Sequence, residues 1–105
     1  MAGTKSYLVL IDGYNVIKQH AGWCQLPLPE ARVRLLAAVR QMRWAVPVSA
    51  IRVIYDSRQA AEDPTHYEGY TSGPVRIEFA SPSADEAIRQ TIRTQTQPER
   101  VMVIS

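Results

Sequence analysis

The sequence predicts a single α/β domain with a mainly parallel sheet and helices on both faces. Short runs rich in Val, Ile, Tyr and Phe alternate with segments of helical periodicity along the chain. The first and last of these runs are almost wholly apolar, as expected for parallel strands that are covered on both sides. The length of 105 residues suits one domain and is too short for two.

Four strands are predicted from these apolar runs. They lie at Tyr7–Ile11, Ile51–Tyr55, Val75–Phe79 and Val101–Ile104. The second and third contain charged residues, namely Arg52, Arg76 and Glu78. These two strands are therefore expected to be less buried, or to lie nearer an edge of the sheet.

A first helix is predicted at about Glu30–Trp44, between the first two strands. Pro29 suits a helix start, and Pro47 marks the end of the segment. The apolar residues recur at helical spacing, while arginines are expected on the other, solvent-facing side. The apolar set is Ala31, Leu35, Val39 and Met42, and the arginines are Arg32, Arg40 and Arg43.

A second helix is predicted at about Ala84–Thr94, between the third and fourth strands. Ser83-Ala-Asp-Glu86 is typical of a capping box, with Ser83 as the N-cap residue. The segment Asp56–Pro74 shows no clear periodicity and is long for a connection in a compact α/β domain. We interpret it as a functional loop.

Composition places the chain among ordinary globular proteins, with 46% hydrophobic and 21% charged residues. The net charge of +2 permits contact with nucleic acid without arguing for it. No apolar run approaches the roughly 20 residues of a membrane span, and the N-terminal run is interpreted as a strand rather than a signal peptide. A single cysteine, Cys24, is expected to be a partly buried thiol and favours a reducing, cytoplasmic setting.

Three of the four aspartates fall where predicted strands end. Asp12 follows the first strand, Asp56 follows the second, and Asp85 follows the third within the first turn of a helix. Asn15 lies in the predicted turn after Asp12. The carboxyl ends of parallel strands meet at one edge of the sheet, where such sheets bind ligands. We therefore expect these four residues to lie near one another.

Clustered carboxylates are costly unless a cation lies among them. Two carboxylates about 5 Å apart repel by roughly 3 kcal/mol at an effective dielectric constant near 20, against a domain stability of about 5–15 kcal/mol. Oxygen ligands suit Mg²⁺ or Mn²⁺. A site that holds these ions indicates metal-assisted hydrolysis of phosphodiesters. The alternative is that each acid simply caps the following turn or helix, with Glu86 completing the capping box.

One motif resembles a known family. Asp12-Gly-Tyr-Asn15-Val-Ile after an apolar strand is similar to the opening signature of NYN domains, in particular the YacP-like branch of the PIN-like nuclease superfamily. Three further pieces match in order, and the resemblance spans Tyr7 to Ser105. They are Glu30-Ala-Arg-Val-Arg-Leu-Leu, Ile51-Arg-Val-Ile-Tyr-Asp56 and Ser83-Ala-Asp85-Glu86.

The resemblance implies a three-layer PIN-like fold with the strand order 3-2-1-4. In the family, an acid ends the fourth strand and a further helix and a fifth strand follow, whereas this sequence stops at Ser105. We therefore expect residues 1–105 to form one NYN/PIN-like domain shortened at its C-terminus, without the fifth strand. An uncovered edge of the fourth strand invites pairing with another chain, so self-association is predicted.

The resemblance also implies a metal-dependent ribonuclease. For the YacP-like branch it implies an association with translating ribosomes, and hence mRNA as the substrate. Asp12, Asp56 and Asp85 would form the acidic cluster that holds Mg²⁺ or Mn²⁺, with Glu86 as an additional acid. Asn15 would orient a ligand, a water molecule or a phosphate. Water would attack the RNA phosphodiester with the help of the metal.

Several residues are candidates for RNA contacts. Tyr14 is expected either to stack on a base or to pack under the loop. Lys18 and Arg58 are predicted to reach phosphates, Arg58 because it lies two residues past Asp56. Other arginines either follow the RNA backbone or cover solvated helix faces. They are Arg32, Arg40, Arg43, Arg89 and Arg93.

Two other classes of function remain open. An RNA- or ribosome-binding module with little catalytic activity is favoured by the missing C-terminal acid. A nucleotide-binding α/β domain is disfavoured because Asp-Gly-Tyr-Asn contains a single glycine and is not a glycine-rich phosphate loop.

Overall fold

A computed structural model describes residues 6–57, 69–80 and 83–105. Every predicted strand and helix is present. The elements, in chain order, are β1 (Tyr7–Asp12), α1 (Gly13–Gln19), α2 (Leu28–Gln41), β2 (Val48–Asp56), β3 (Tyr70–Ser72), β4 (Val75–Ala80), α3 (Ala84–Thr94), a short 3₁₀ helix (Pro98–Arg100) and β5 (Val101–Ile104).

The sheet has the order β3-β4-β2-β1-β5. Strands β4, β2, β1 and β5 are mutually parallel, and β3 pairs antiparallel with β4. The predicted order of the four long strands, 3-2-1-4, is confirmed. Strand β3 was not predicted, because it has three residues within a segment that we interpreted as a loop. The chain reverses into β4 at Gly73, whose φ of 59° lies in the left-handed region that glycine tolerates.

Helix α1 was also not predicted. It begins at Gly13, directly after β1, so Asn15 lies on a helix rather than in a turn, and Lys18 lies on the same helix. A Cβ atom at Gly13 would lie 2.6 Å from Cδ1 of Tyr55, which explains why glycine occupies this position. The next helix, α2, ends at Gln41 rather than Trp44, and Met42 has the extended backbone of a C-cap residue.

Two apolar clusters lie on opposite faces of the sheet, because successive strand residues point to opposite sides. Helices α1 and α2 cover the first cluster and α3 covers the second, which gives the predicted three layers. The first cluster includes Val9, Ile11, Ile17, Leu35, Val53 and Tyr55. The second includes Leu10, Ile54, Ala84 and Ile88.

Arg52 of β2 and Glu78 of β4 are partly buried and pair with each other, whereas Arg76 of β4 is exposed and pairs with the same Glu78. Nε and Nη2 of Arg52 donate to the two carboxylate oxygens of Glu78 at 2.6 and 2.7 Å. Nη1 of Arg52 also donates to Oγ1 of Thr91 on α3 at 3.3 Å. The expectation that β2 lies near an edge is wrong, since β2 is the central strand and its Ile54 is fully buried.

Cys24 and the helices were compared with two expectations from the sequence. The prediction for Cys24 is wrong, since this residue is exposed in the segment between α1 and α2. In the described ranges, no helix is both long enough and apolar enough to span a membrane.

Candidate active site

Strand geometry places Asp12 and Asp56 on the same face of the sheet. Asp12 comes two residues after Leu10, and Asp56 comes two residues after Ile54, so each acid shares a face with a residue that packs under α3. In the register of the two strands, Asp12 lies opposite Ile54. Both acids therefore lie at the carboxyl edge of the sheet, on the side where α3 begins.

Helix α3 brings the third predicted acid to the same place. Asp85 lies in its first turn, immediately after the buried Ala84. Together these elements form a cleft of about 160 Å³. The residues that line this cleft are Asp12, Tyr14, Asn15, Lys18, Asp56, Ser83, Ala84 and Asp85. The fold thus gathers Asp12, Asn15, Lys18, Asp56 and Asp85 around one cavity.

The electrostatics of the cleft centre on Asp12. Burial raises the pKa of its carboxyl above the ordinary value of 3.8, and the neighbouring Asp85 and Asp56 raise it further. The backbone N–H of Asn15 and the ammonium group of Lys18 act in the opposite direction. The ionised form of Asp12 is therefore disfavoured by the protein around it, and a cation in the cleft would relieve this repulsion.

The N-cap residues of α1 and α3 show how far helix capping explains the polar side chains of the cleft. Oγ of Ser83 accepts a hydrogen bond from the backbone N–H of Glu86 at 3.1 Å, which confirms Ser83 as the N-cap of α3. Asp12 occupies the N-cap position of α1 without a side-chain capping hydrogen bond, although the nearby backbone N–H of Asn15 acts to lower the pKa of its carboxyl. Helix capping therefore accounts for Ser83, while the carboxylates of Asp12 and Asp85 both line the cleft.

The cleft provides oxygen donors of the kind that Mg²⁺ and Mn²⁺ prefer, from three aspartates and one asparagine. Within the part of the chain that is described, however, no three acidic, His or Cys groups converge on one point. One contact that competes with a metal is the salt bridge from Asp85 Oδ2 to Arg89 Nη2 at 2.9 Å. The donor chemistry thus fits a divalent metal, while Asp85 is engaged by an arginine.

Glu86 lies beside this salt bridge. Its Oε2 is 3.8 Å from Nη1 of Arg89. It is not among the described residues that line the cleft. Arg58, the predicted phosphate contact after Asp56, lies outside the described residues.

The prediction that Tyr14 stacks on a base is wrong in this structure. Tyr14 is only 2% exposed, and its ring lies 4.6 Å from that of Tyr55. A ring buried in the core has no open face for a nucleobase. The alternative, that Tyr14 packs under the loop, is the one that the structure supports.

The prediction that Arg32 faces solvent is wrong. We expected it on the solvent side of α2, yet it is only 8% exposed. Its Nη1 donates to Oη of Tyr14 at 3.0 Å, and its guanidinium carbon lies 5.9 Å from the ring centroids of both Tyr55 and Phe79. A signal was present, because Leu35 and Val39 follow Arg32 by three and seven residues and so share its helix face.

The sheet order, with acids at the carboxyl ends of β1 and β2, agrees with the family that the sequence identifies. The sequence model of the YacP-like NYN domain matches residues 9–105, and the chain belongs to this family. NYN domains are part of the PIN-like nuclease superfamily. Searches of curated proteins and of solved structures gave no significant match.

Proposed function

We propose that this protein is a divalent-metal-dependent endoribonuclease that cleaves RNA phosphodiesters. The observation that carries the proposal is the cleft at the carboxyl edge of the sheet, where three aspartates, an asparagine and a lysine meet. The raised pKa of Asp12, caused by burial and by two neighbouring carboxylates, adds support because it marks a site that favours a cation. Membership of a nuclease superfamily supplies the reaction class.

Each residue of the cleft has a role in this proposal. Asp12, Asp56 and Asp85 would hold Mg²⁺ or Mn²⁺, which would polarise the phosphate and activate water. Asn15 orients the phosphate or the water molecule through its side-chain amide. Lys18 lies three residues after Asn15 on α1, hence on the same side of the helix, and is exposed at the cleft, where its ammonium group binds a backbone phosphate.

The substrate proposed here is single-stranded RNA, with mRNA on ribosomes as the setting that the family resemblance implies and the cytoplasm as the compartment. The cleft has both kinds of group that a nucleic-acid phosphate requires. Acidic groups are present to hold a metal, and the exposed cation of Lys18 is present to contact the backbone directly.

The test is cleavage of an end-labelled single-stranded RNA. We expect cleavage with Mn²⁺ or Mg²⁺, none with chelator, and none by Asp12→Asn. The matched control is Glu99→Gln, which also neutralises one acid but lies in the exposed 3₁₀ helix before β5. This control is expected to cleave like the unmodified protein. Equal cleavage by Asp12→Asn would overturn the assignment of the cleft.

A second function is favoured by two specific observations. In the described residues, no three acids converge on a point, and Asp85 is paired with Arg89. An RNA- or ribosome-binding module that keeps the nuclease fold but cleaves poorly accounts for both facts. Metal-independent RNA binding without cleavage, unchanged by Asp12→Asn, is the result that identifies this alternative.

A further inference from the structure

The salt bridge between Asp85 and Arg89 connects the cleft to the outer surface of α3. Nη2 of Arg89 lies 2.9 Å from Oδ2 of Asp85, and its Nη1 lies 3.8 Å from Oε2 of Glu86. The side chains of Arg89 and Asp85 are 60% and 65% exposed. The guanidinium group therefore contacts an acid that lines the cleft and is itself accessible to solvent.

This salt bridge is easily exchanged. Ion pairs between exposed side chains four residues apart on a helix are weak, because water solvates both partners. A guanidinium group offers a planar fork of donors that fits a phosphate as well as it fits a carboxylate. Arg89 therefore loses little when an RNA phosphate replaces Asp85 as its partner.

We propose that Arg89 is a phosphate-binding residue that leaves Asp85 for the RNA backbone when Asp85 takes up a metal ion. This proposal rests on the proposed function of the cleft. Asp85 lines the cleft together with Asp12, and its carboxylate also holds Arg89. A divalent cation at Asp85 repels the guanidinium group, which keeps the more distant Glu86 carboxylate at 3.8 Å and can then take an RNA phosphate.

The exchange couples metal binding to RNA binding. Without RNA, Arg89 competes with the metal for Asp85 and weakens metal binding. With RNA, the phosphate takes Arg89 away and removes this competition. By linkage, each ligand then strengthens the binding of the other. The Asp85–Arg89 salt bridge thus favours metal binding at Asp85 when RNA is bound.

The variant that tests this is Arg89→Gln, and the chain offers a matched control in Arg34→Gln. Arg34 also forms an exposed salt bridge with an acid four residues before it, Glu30, at 3.5 Å, but on α2 and away from the cleft lining. Both substitutions remove one positive charge from an exposed helix surface. They differ in whether the partner acid lines the cleft.

Two binding measurements separate the outcomes. Mn²⁺ affinity is measured by electron paramagnetic resonance without RNA, and the affinity for a labelled single-stranded RNA is measured by fluorescence anisotropy with Ca²⁺ at several salt concentrations. Arg89→Gln should bind Mn²⁺ about two- to threefold more tightly, on the scale of an exposed ion pair. It should bind RNA about tenfold more weakly, with the salt slope reduced by about one.

The control Arg34→Gln should change neither affinity, and Arg89→Lys should retain the salt slope. Weaker or unchanged Mn²⁺ binding by Arg89→Gln, or an unchanged salt slope, would overturn the exchange while leaving the nuclease proposal intact. Failure of the unmodified protein to bind Mn²⁺ or to cleave RNA would overturn the proposed function itself, and the exchange with it.

Discussion

Arg32 Nη1 donates a hydrogen bond to Tyr14 Oη at 3.0 Å, and this buried contact ties α2 to α1 where Tyr14 lines the acidic cleft. The two residues are 18 positions apart. Tyr14 also packs on Tyr55 near the end of β2. Because α1 carries Asn15 and Lys18, this contact fixes the helix that presents them to the cleft.

The first prediction removes the acceptor of this hydrogen bond. Tyr14→Phe leaves Nη1 of the buried Arg32 without the Tyr14 hydroxyl, so the free energy of unfolding should fall by about 1–3 kcal/mol. Urea unfolding followed by fluorescence measures the change. Tyr70→Phe is the control, since Tyr70 is 45% exposed and its substitution should cost less than about 0.5 kcal/mol. Equal stability of the two variants would contradict the role given to Arg32.

The second prediction concerns the close approach of α1 to β2. In Gly13→Ala, the added methyl group would lie 2.6 Å from Cδ1 of the buried Tyr55, so the substitution should destabilise the fold by about 1–3 kcal/mol. Gly22→Ala is the control, because its added Cβ would come no nearer than 3.3 Å, to the exposed His20 ring. Thermal unfolding of both variants measures the difference. A Gly13→Ala protein as stable as the control would show that Tyr55 moves easily.

The third prediction concerns pH. Arg52 donates two hydrogen bonds to Glu78 and holds the pKa of that carboxyl below its ordinary 4.5. The stabilisation is therefore fully present above pH 4.5 and is lost as the pH falls through the lowered folded-state value. Glu78→Gln should lose stability at pH 7, with a smaller difference from the unmodified protein at low pH.

Denaturant unfolding between pH 2 and pH 7 measures this dependence. Glu99→Gln serves as the control, since Glu99 is exposed and outside the Arg52 network. A deficit of Glu78→Gln that stays constant across this range would show that the ion pair does not determine the acid sensitivity of the fold.

The fourth prediction is self-association through β5, an edge strand of the sheet. Val103 on this strand is 42% exposed, and an apolar strand edge favours pairing with another chain. Light scattering at micromolar concentrations should show oligomers of the 105-residue chain and fewer oligomers for Val103→Lys. Val33→Lys is the control, as Val33 is 65% exposed but lies on helix α2. A clean monomer across this range would count against the prediction.

Much of the fold was predictable because its signals are local. The Ser83 cap is set by residues within one turn of α3, and the structure contains the hydrogen bond that the capping motif predicts. The alternation of β1 and β2 determines which of their residues share a face. The placement of Asp12 and Asp56 at the ends of these strands then follows from the parallel sheet.

Helix α1 could not be predicted in the same way. Gly13 is among the poorest helix-forming residues, and the segment is seven residues long, too short to be stable alone. Burial of Tyr14 and Ile17 against the sheet stabilises it. Strand β3 also could not be predicted from local sequence. Its three residues form a strand because the turn at Gly73 brings them beside β4.

The sequence by itself determined the parallel α/β fold and the three acids of the cleft, because these follow from periodicity and from neighbours close in the chain. The order of the four parallel strands was predicted only through the family resemblance. Only the tertiary structure decided that Tyr14 is a core residue and that Arg32 is buried beside it. The physical reason is that their partners come from distant elements. The environment of a side chain depends on what packs against it after folding, which local spacing does not specify.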